Sequence, residues 1–167
     1  MNKEAHWARG TLVLVANGTR ARLCRVHGGQ ADVVRRMQNE LGRQKERDLV
    51  TDRPGRYQAA GQIGGRRGLN PRSALEPMSV ARVAAFEAYA RTLAQEVAAA
   101  RATWKDHAIA LVAPPQLLGC VRAHLGDEEA ARVVASLSSD YTSLPNARLL
   151  DMLERAGVPG AKALTEA

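Results

Sequence analysis

The residues best suited to binding a ligand are the cations of one long loop, predicted over residues 42–79. From Leu41 to Ser79 the sequence has no regular periodicity and holds six Gly, three Pro and eight Lys or Arg. Guanidinium groups bind phosphate in a bidentate manner, and loops carry functional residues more often than scaffolds do. We therefore predict an anion- or RNA-binding surface here. Its cations are Arg43, Lys45, Arg47, Arg53, Arg56, Arg66, Arg67 and Arg72.

The segment at 47–56, with the sequence RDLVTDRPGR, is the most distinctive part of this loop. Its Pro-Gly pair fits the centre of a type II turn, which would hold the flanking arginines close together. Its two aspartates can orient those arginines through charge-assisted hydrogen bonds. A purely structural turn that pins the loop to a sheet explains the same pattern. The residues predicted to orient the loop are Asp48, Asp52, Pro54 and Gly55.

A second short motif, Gly28-Gly29-Gln30, is the tripeptide that peptide-release factors place at the ribosomal peptidyl-transfer centre. It lies between two predicted strands, where a Gly-Gly pair suits the geometry of a tight hairpin. We therefore predict a structural turn at this motif.

The charge of the chain is uneven. The net charge is +7; residues 1–79 carry 15 Lys and Arg against 7 Asp and Glu, and residues 80–167 carry 9 against 10. A basic half favours polyanionic partners such as RNA. Widespread use of Arg as a solubilising residue would give the same balance.

The cysteine and histidine residues do not indicate a metal site. The two cysteines form no CxxC pair and the four histidines lack ligand spacing, so we expect no metal and no cofactor. Cys24 is expected to be a packed core residue.

No familiar catalytic motif is present, which disfavours an enzyme. The N-terminal apolar run, 11–16, is too short for a signal peptide, and we expect a cytoplasmic protein.

The periodicities predict an α/β domain over residues 1–156, followed by a flexible tail at 157–167. Three strands joined by short turns predict an antiparallel meander, and alternating strands and helices thereafter predict parallel pairing. The result is a mixed sheet of about five strands with covering helices. The predicted strands are 11–16, 19–26, 31–37, 107–113 and 132–138, and the predicted helices are 115–124, 145–156 and one from an N-cap at Ser79 to about Trp104.

In its order of motifs the chain resembles the bacterial host-attachment protein family. This is a group of small domains similar to the middle domain of archaeal and eukaryotic peptide-chain release factors. The resemblance spans nearly the whole chain. It is carried by Trp7, residues 15–22 (VANGTRAR), 48–56 (DLVTDRPGR), the helix from Phe86 to Leu93, 111–119 (LVAPPQLLG), Arg122, and 140–144 (DYTSL).

The resemblance implies a ribonuclease-H-like mixed sheet and a contact with the ribosome or RNA through the loop. Release factors carry Gly-Gly-Gln in the loop before the long helix, whereas the corresponding loop here offers Gln62 without a preceding Gly-Gly pair. Three hypotheses follow. The first is a non-catalytic RNA- or ribosome-associated factor that binds through the cationic loop. The second is a protein-interaction factor that supports host attachment indirectly. The third is a peptidyl-tRNA-type ester hydrolase with Gln62 orienting water.

Overall fold

The computed structural model describes residues 10–42 and 72–163. The strands and helices alternate in the second half of the chain, and three strands precede them. In chain order they are β1 (Thr11–Ala16), β2 (Arg20–His27), β3 (Gln30–Gln38), α1 (Arg72–Thr103), β4 (Ala108–Ala113), α2 (Pro115–His124), α3 (Asp127–Ala130), β5 (Val133–Ser138) and α4 (Asn146–Arg155).

The five strands form one mixed sheet in the order β3-β2-β1-β4-β5. β1 pairs with β2, and β2 with β3, in antiparallel fashion, whereas β1 pairs with β4 and β4 with β5 in parallel. The predicted α/β class and mixed sheet are confirmed. All five predicted strands are present, with bounds within one residue of those read from the sequence.

The core lies on both faces of β1 and β4, whose residues are all buried. Their continuous apolar sequences suit strands that are covered on two sides. One face packs against α1 and α2, and an apolar stripe that recurs every three or four residues along α1, ending just after it, makes that contact. Its members are Phe86, Ala90, Leu93, Val97, Ala100 and Trp104. The opposite face packs against Leu149 and Leu153 of α4.

The chain after α4 belongs to this second core. Val158 and Ala161 are buried against the same face as α4, and the Thr11 hydroxyl donates to the carbonyl of Pro159 at 2.6 Å. The amide of Gly29 likewise donates to the carbonyl of Gly160 at 3.0 Å. Residues 157–163 are therefore packed against the sheet, beyond the predicted domain boundary at 156.

The long helix begins at Arg72, seven residues before the predicted N-cap at Ser79, so the last part of the predicted loop is helical. The sequence pattern does not indicate these first two turns, because the apolar stripe by which the helix is recognised begins further along the chain. Residues 80–84 are all exposed, and the buried stripe starts at Phe86. Favourable helix formers such as Leu75 and Glu76 fill the additional turns.

The short helix α3 is absent from the sequence-based prediction because four residues are too few to show a period. An ion pair across the fold holds it in place. The Arg101 guanidinium, on α1, lies 2.7 Å from Glu128 and 3.1 Å from Glu129. These pairs raise the pKa of Arg101, mainly through the hydrogen bond with Glu128.

The two hairpins use different turn chemistry. Between β2 and β3, Gly28 and Gly29 both have positive φ, at 57° and 76°, as a type I′ turn requires. The structural reading of Gly28-Gly29-Gln30 is thus confirmed. Between β1 and β2, the Asn17 side chain closes the turn by accepting from the amides of Thr19 and Arg20, each at 2.9 Å.

The type I′ turn gives a test of the fold. Gly29→Ala should destabilise the protein by at least about 1–2 kcal/mol, because an L-residue is strained at positive φ. In addition, its Cβ would lie 2.6 Å from the Cα of Ala163. Gly28→Asn, which suits the same turn, and Gln30→Ala, at an exposed position, are matched controls. Thermal unfolding that shows equal stability for all three variants would contradict this account.

Candidate nucleic-acid interface

The candidate interface lies at the edge of the sheet where the parallel strands β1, β4 and β5 end. In open α/β sheets, ligands bind beside the carboxyl ends of the parallel strands. The chain reaches this edge again after β3, where the Asn39 side-chain amide donates to the carbonyl of Gly18 at 2.9 Å. Gly42 follows so close to that carbonyl that no Cβ would fit. Segment 43–71, which carries most of the predicted cations, therefore starts beside the β1–β2 hairpin.

The polar centre of this edge is Asn17. Its side-chain amide donates to the Asp140 carboxylate at 3.0 Å and to the Thr142 hydroxyl at 2.9 Å. Its carbonyl oxygen accepts from the hairpin amides already described, so every polar atom of the side chain is used. Asn17 thus ties the end of β1 to the loop after β5.

Asp140 is ionised in this arrangement. Partial burial alone would raise the pKa of its carboxyl group, but hydrogen bonds from Thr142 and Asn17 outweigh burial and lower the pKa below its ordinary value of 3.8. The positive charge of Arg20 lowers this pKa further. The edge therefore contains one fixed carboxylate among cations.

The side chain of Arg22, on β2, holds the loop after β5 by hydrogen bonds. Its guanidinium donates to the carbonyl of Leu144, at 2.5 Å, and more weakly to that of Tyr141, at 3.4 Å. An arginine with two backbone carbonyls as partners keeps its full charge, since a carbonyl does not neutralise it. Arg22 thus contributes positive potential to this edge while it serves as a structural residue.

Arg20 and Arg36 extend the positive charge across the same face of the sheet. Arg36 pairs with Arg22 in the antiparallel register, and Arg20 lies two residues before Arg22. Both Arg20 and Arg36 are exposed. The field reaches Cys24, whose pKa is raised by burial although Arg22 and Arg36 lower it. The expected packed cysteine is confirmed, because its side chain is fully buried. We call Arg20, Arg22 and Arg36 the edge arginines.

The long helix α1 returns the chain to this side of the molecule. Its C-terminal end lies near the start of β4, so its N-terminal end points past the carboxyl ends of the strands. Thirty-two residues of helix span about 48 Å, whereas a six-residue strand spans about 20 Å. The helix is thus about 28 Å longer than the strand beside it. Gly42 and Arg72, the described residues that flank segment 43–71, thus both lie toward the carboxyl ends of the parallel strands.

Most of the site residues predicted from the sequence lie outside the described residues. Arg72 is described as the first residue of α1. The others, including Gln62, fall within segment 43–71. They are Arg43, Lys45, Arg47, Asp48, Asp52, Arg53, Pro54, Gly55, Arg56, Arg66 and Arg67.

The edge arginines, Asn17 and Asp140 were not predicted as site residues. Asn17, Arg20 and Arg22 lie in the VANGTRAR segment, and Asp140 opens DYTSL. Both segments carry the family resemblance. This shared property was the feature of the sequence that could have identified their residues as parts of one site. Spacing alone could not, because Asn17 and Asp140 are 123 residues apart in the sequence.

A second polar cluster lies between α1 and α2, away from this edge. The Nε2 atom of His124 is 2.6 Å from a Glu87 carboxylate oxygen, and the Cys120 thiol donates to the other oxygen at 3.6 Å. Burial raises the pKa of Cys120, and the Glu87 charge raises it further, so the thiol stays protonated and is a poor nucleophile. We therefore regard this cluster as a link between helices.

Neither metal coordination nor membrane insertion is indicated by the described part of the chain. Within residues 10–42 and 72–163, no group of three or more His, Cys, Asp or Glu could hold a metal ion. Within the same residues, no helix is long and apolar enough to cross a membrane.

The Asn17–Asp140 link can be tested by exchanging its two members. Asn17→Asp should lower stability by about 1–3 kcal/mol, because it removes an amide donor and places two carboxylates together. Adding Asp140→Asn should restore most of the loss, because an amide again faces a carboxylate. Urea unfolding of the wild type, both single variants and the double variant measures the coupling. Strictly additive effects of the two substitutions would contradict this link.

Comparison with known proteins identifies the family. A search of curated proteins found no match. A family model described as "Protein required for attachment to host cells" matches residues 12–153, from β1 to α4. The matched region contains the hairpin of Asn17, segment 43–71 and the loop of Asp140. This chain therefore belongs to the family of proteins required for attachment to host cells.

Proposed function

We propose that this protein is a non-catalytic factor that associates with RNA or the ribosome, and that it is related to the middle domains of peptide-chain release factors. Segment 43–71 supplies the main contact, and the edge arginines extend it. The observation that carries the proposal is the density of cations in the sequence of segment 43–71, which follows residues that lie beside the β1–β2 hairpin. Segment 43–71 holds seven Lys or Arg against three Asp or Glu in its sequence, and Gly42, the residue before it, lies against the carbonyl of Gly18, two residues from Arg20.

The physical basis is electrostatic. Each phosphate neutralised by a cation releases counterions, so affinity falls steeply as salt concentration rises. Exposed arginines on a rigid sheet, such as Arg20 and Arg36, lose little backbone entropy when they bind. Segment 43–71 adds the planar guanidiniums of Arg53 and Arg56, which suit bidentate contact with phosphate oxygens.

A binding role is favoured over catalysis. Gly28-Gly29-Gln30 forms a hairpin turn at the opposite end of β2 from Arg20, where its glycines serve backbone geometry. Gln62 is the remaining candidate for orienting water, and no Gly-Gly pair precedes it. If the protein were a hydrolase of a peptidyl-tRNA-type ester, the Gln62→Ala variant should lose turnover while its binding stays intact.

Salt-dependent co-sedimentation with ribosomes tests the proposal. We expect association at low salt that weakens at moderate salt. Arg20→Gln/Arg36→Gln should reduce affinity and lower the slope of log K against log salt by about 0.7–0.9 per lost contact. Replacing Arg53 and Arg56 by Gln should act in the same direction. Arg91→Gln/Arg155→Gln, at exposed helical positions away from this edge, is the control. Absence of association at both salt concentrations would overturn the proposal.

A second function, an interaction with a protein partner that supports host attachment indirectly, is favoured by one feature of α1. Val80 and Val83 lie one turn apart on the projecting part of the helix, and 67% and 62% of their surfaces are exposed. Neighbouring exposed apolar side chains on a helix are typical of protein contacts.

The two functions make opposite predictions for these valines. Val80→Asp/Val83→Asp should abolish capture of a partner and leave RNA affinity unchanged, if the second function applies. The fold should tolerate the change, because neither side chain packs in the core. Pull-down with purified protein, alongside the Arg20/Arg36 variant as a counterpart, measures the difference. Unchanged capture would exclude this surface.

A further inference from the structure

A cavity of about 270 Å³ opens at the other edge of the sheet, where β1 and β4 begin. It lies between β2 and the connection from α1 to β4. Arg25, Trp104 and His107 form one wall, and Lys105 and Asp106 also line it. Arg25 lies three residues after Arg22 on β2, about 10 Å along the strand, and its side chain is on the opposite face of the sheet from the edge arginines.

The Arg25 side chain is held in place by two aromatic rings. Its Nε donates to Nε2 of His107 at 3.2 Å, and its Cζ lies 5.9 Å from the centre of the Trp104 ring. Such contacts between guanidinium and indole are attractive through the ring quadrupole. Arg25 therefore loses little side-chain entropy on binding a ligand, which favours affinity.

His107 is itself fixed, so it sets the direction of the guanidinium. It is 5% exposed, and its ring lies 6.5 Å from that of Trp104 at an angle of 54°. Gly10 packs closely against the imidazole ring of His107, since a Cβ at position 10 would lie 3.1 Å from Nε2. Because Nε2 accepts from Arg25, a neutral His107 carries its proton on Nδ1.

The terminal nitrogens of Arg25 are available for a ligand. A guanidinium has five N–H donors, and the one on Nε is used by His107. No residue in the described part of the chain accepts from the other four. Lys105 adds a second positive charge and Asp106 one negative charge, so the lining is net positive with neutral histidines.

We propose that this cavity binds a phosphate monoester, with the terminal nitrogens of Arg25 making a bidentate contact and Lys105 providing the second charge. The fork of an arginine matches two phosphate oxygens, and two cations match a dianion better than a carboxylate. The volume suits a compact ligand, because sites for larger molecules begin at about 300 Å³. The site is independent of the proposed RNA contact at the opposite edge.

The phosphate could belong to a free sugar phosphate or to the end of an RNA chain, and two probes distinguish these sources. Ribose 5-phosphate represents the first. A short RNA with a 5′-phosphate, compared with the same RNA ending in a 5′-hydroxyl, represents the second. Calorimetry and Trp104 fluorescence in a Trp7→Phe background report binding. Ribose and citrate test whether the phosphate is required.

We expect saturable binding of at least one phosphorylated probe, and a loss of at least about tenfold in affinity with Arg25→Gln, since charged hydrogen bonds contribute strongly. Arg25→Lys should recover only part of the loss, because an ammonium lacks the fork. Lys105→Ala should weaken binding several-fold without affecting the fold, since its side chain is exposed. Arg91→Gln is the matched control.

Three results would overturn the proposal. These are no saturation by either phosphorylated probe below about 10 mM, equal affinity for citrate, and binding that Arg25→Gln and Lys105→Ala both leave unchanged. Loss of ribosome association without loss of this binding would show that only the proposed RNA function had failed.

Discussion

The parallel pairing of β1 with β4 is the constraint on which the rest of the structure depends. Both strands are buried over their full length and carry no charged side chain. A parallel pair needs a crossover connection, and strands that are apolar on both faces need cover on both sides. The long helix α1 makes the connection and covers one face. The other face requires α4 and the packed chain that follows it.

This arrangement separates the two polar edges of the sheet. The central strands β1 and β4 carry no charged side chain, so the charges of the sheet lie on β2 and β3 and on the connections at the strand ends. At the carboxyl edge, Asn17 and Arg22 stabilise the loop after β5 by hydrogen bonds. At the amino edge, Arg25 rests on Trp104 and His107. At the carboxyl edge, an arginine side chain binds backbone carbonyls. At the amino edge, aromatic rings bind an arginine side chain.

The sequence predicts well those features that depend on neighbouring residues. Continuous apolar runs revealed β1 and β4, and Gly-Gly revealed the second hairpin. Features that depend on distant contacts were missed. Burial of Val158 and Ala161 follows from a fold in which Thr11 meets Pro159, 148 residues away. The early start of α1 was missed because its apolar stripe begins only at Phe86.

The same distinction applies to the candidate sites. Composition alone identified segment 43–71 as cationic, since that property needs no partner. The groupings around Asn17 and around Arg25 each join residues more than eighty positions apart, and single side chains among them look ordinary in the sequence. Only the topology of the sheet, which brings strand ends together at two edges, creates them.

The length of α1 has a geometric consequence for the carboxyl edge. The chain before segment 43–71 is held at the hairpin by Asn39 and Gly42, and the chain after it is α1, which is about 28 Å longer than the strand beside it. The helix thus acts as a spacer whose length is independent of the core. Each added or removed turn would move that attachment point by about 5.4 Å. A change in the length of α1 would therefore alter the distance between the two attachment points without altering the sheet.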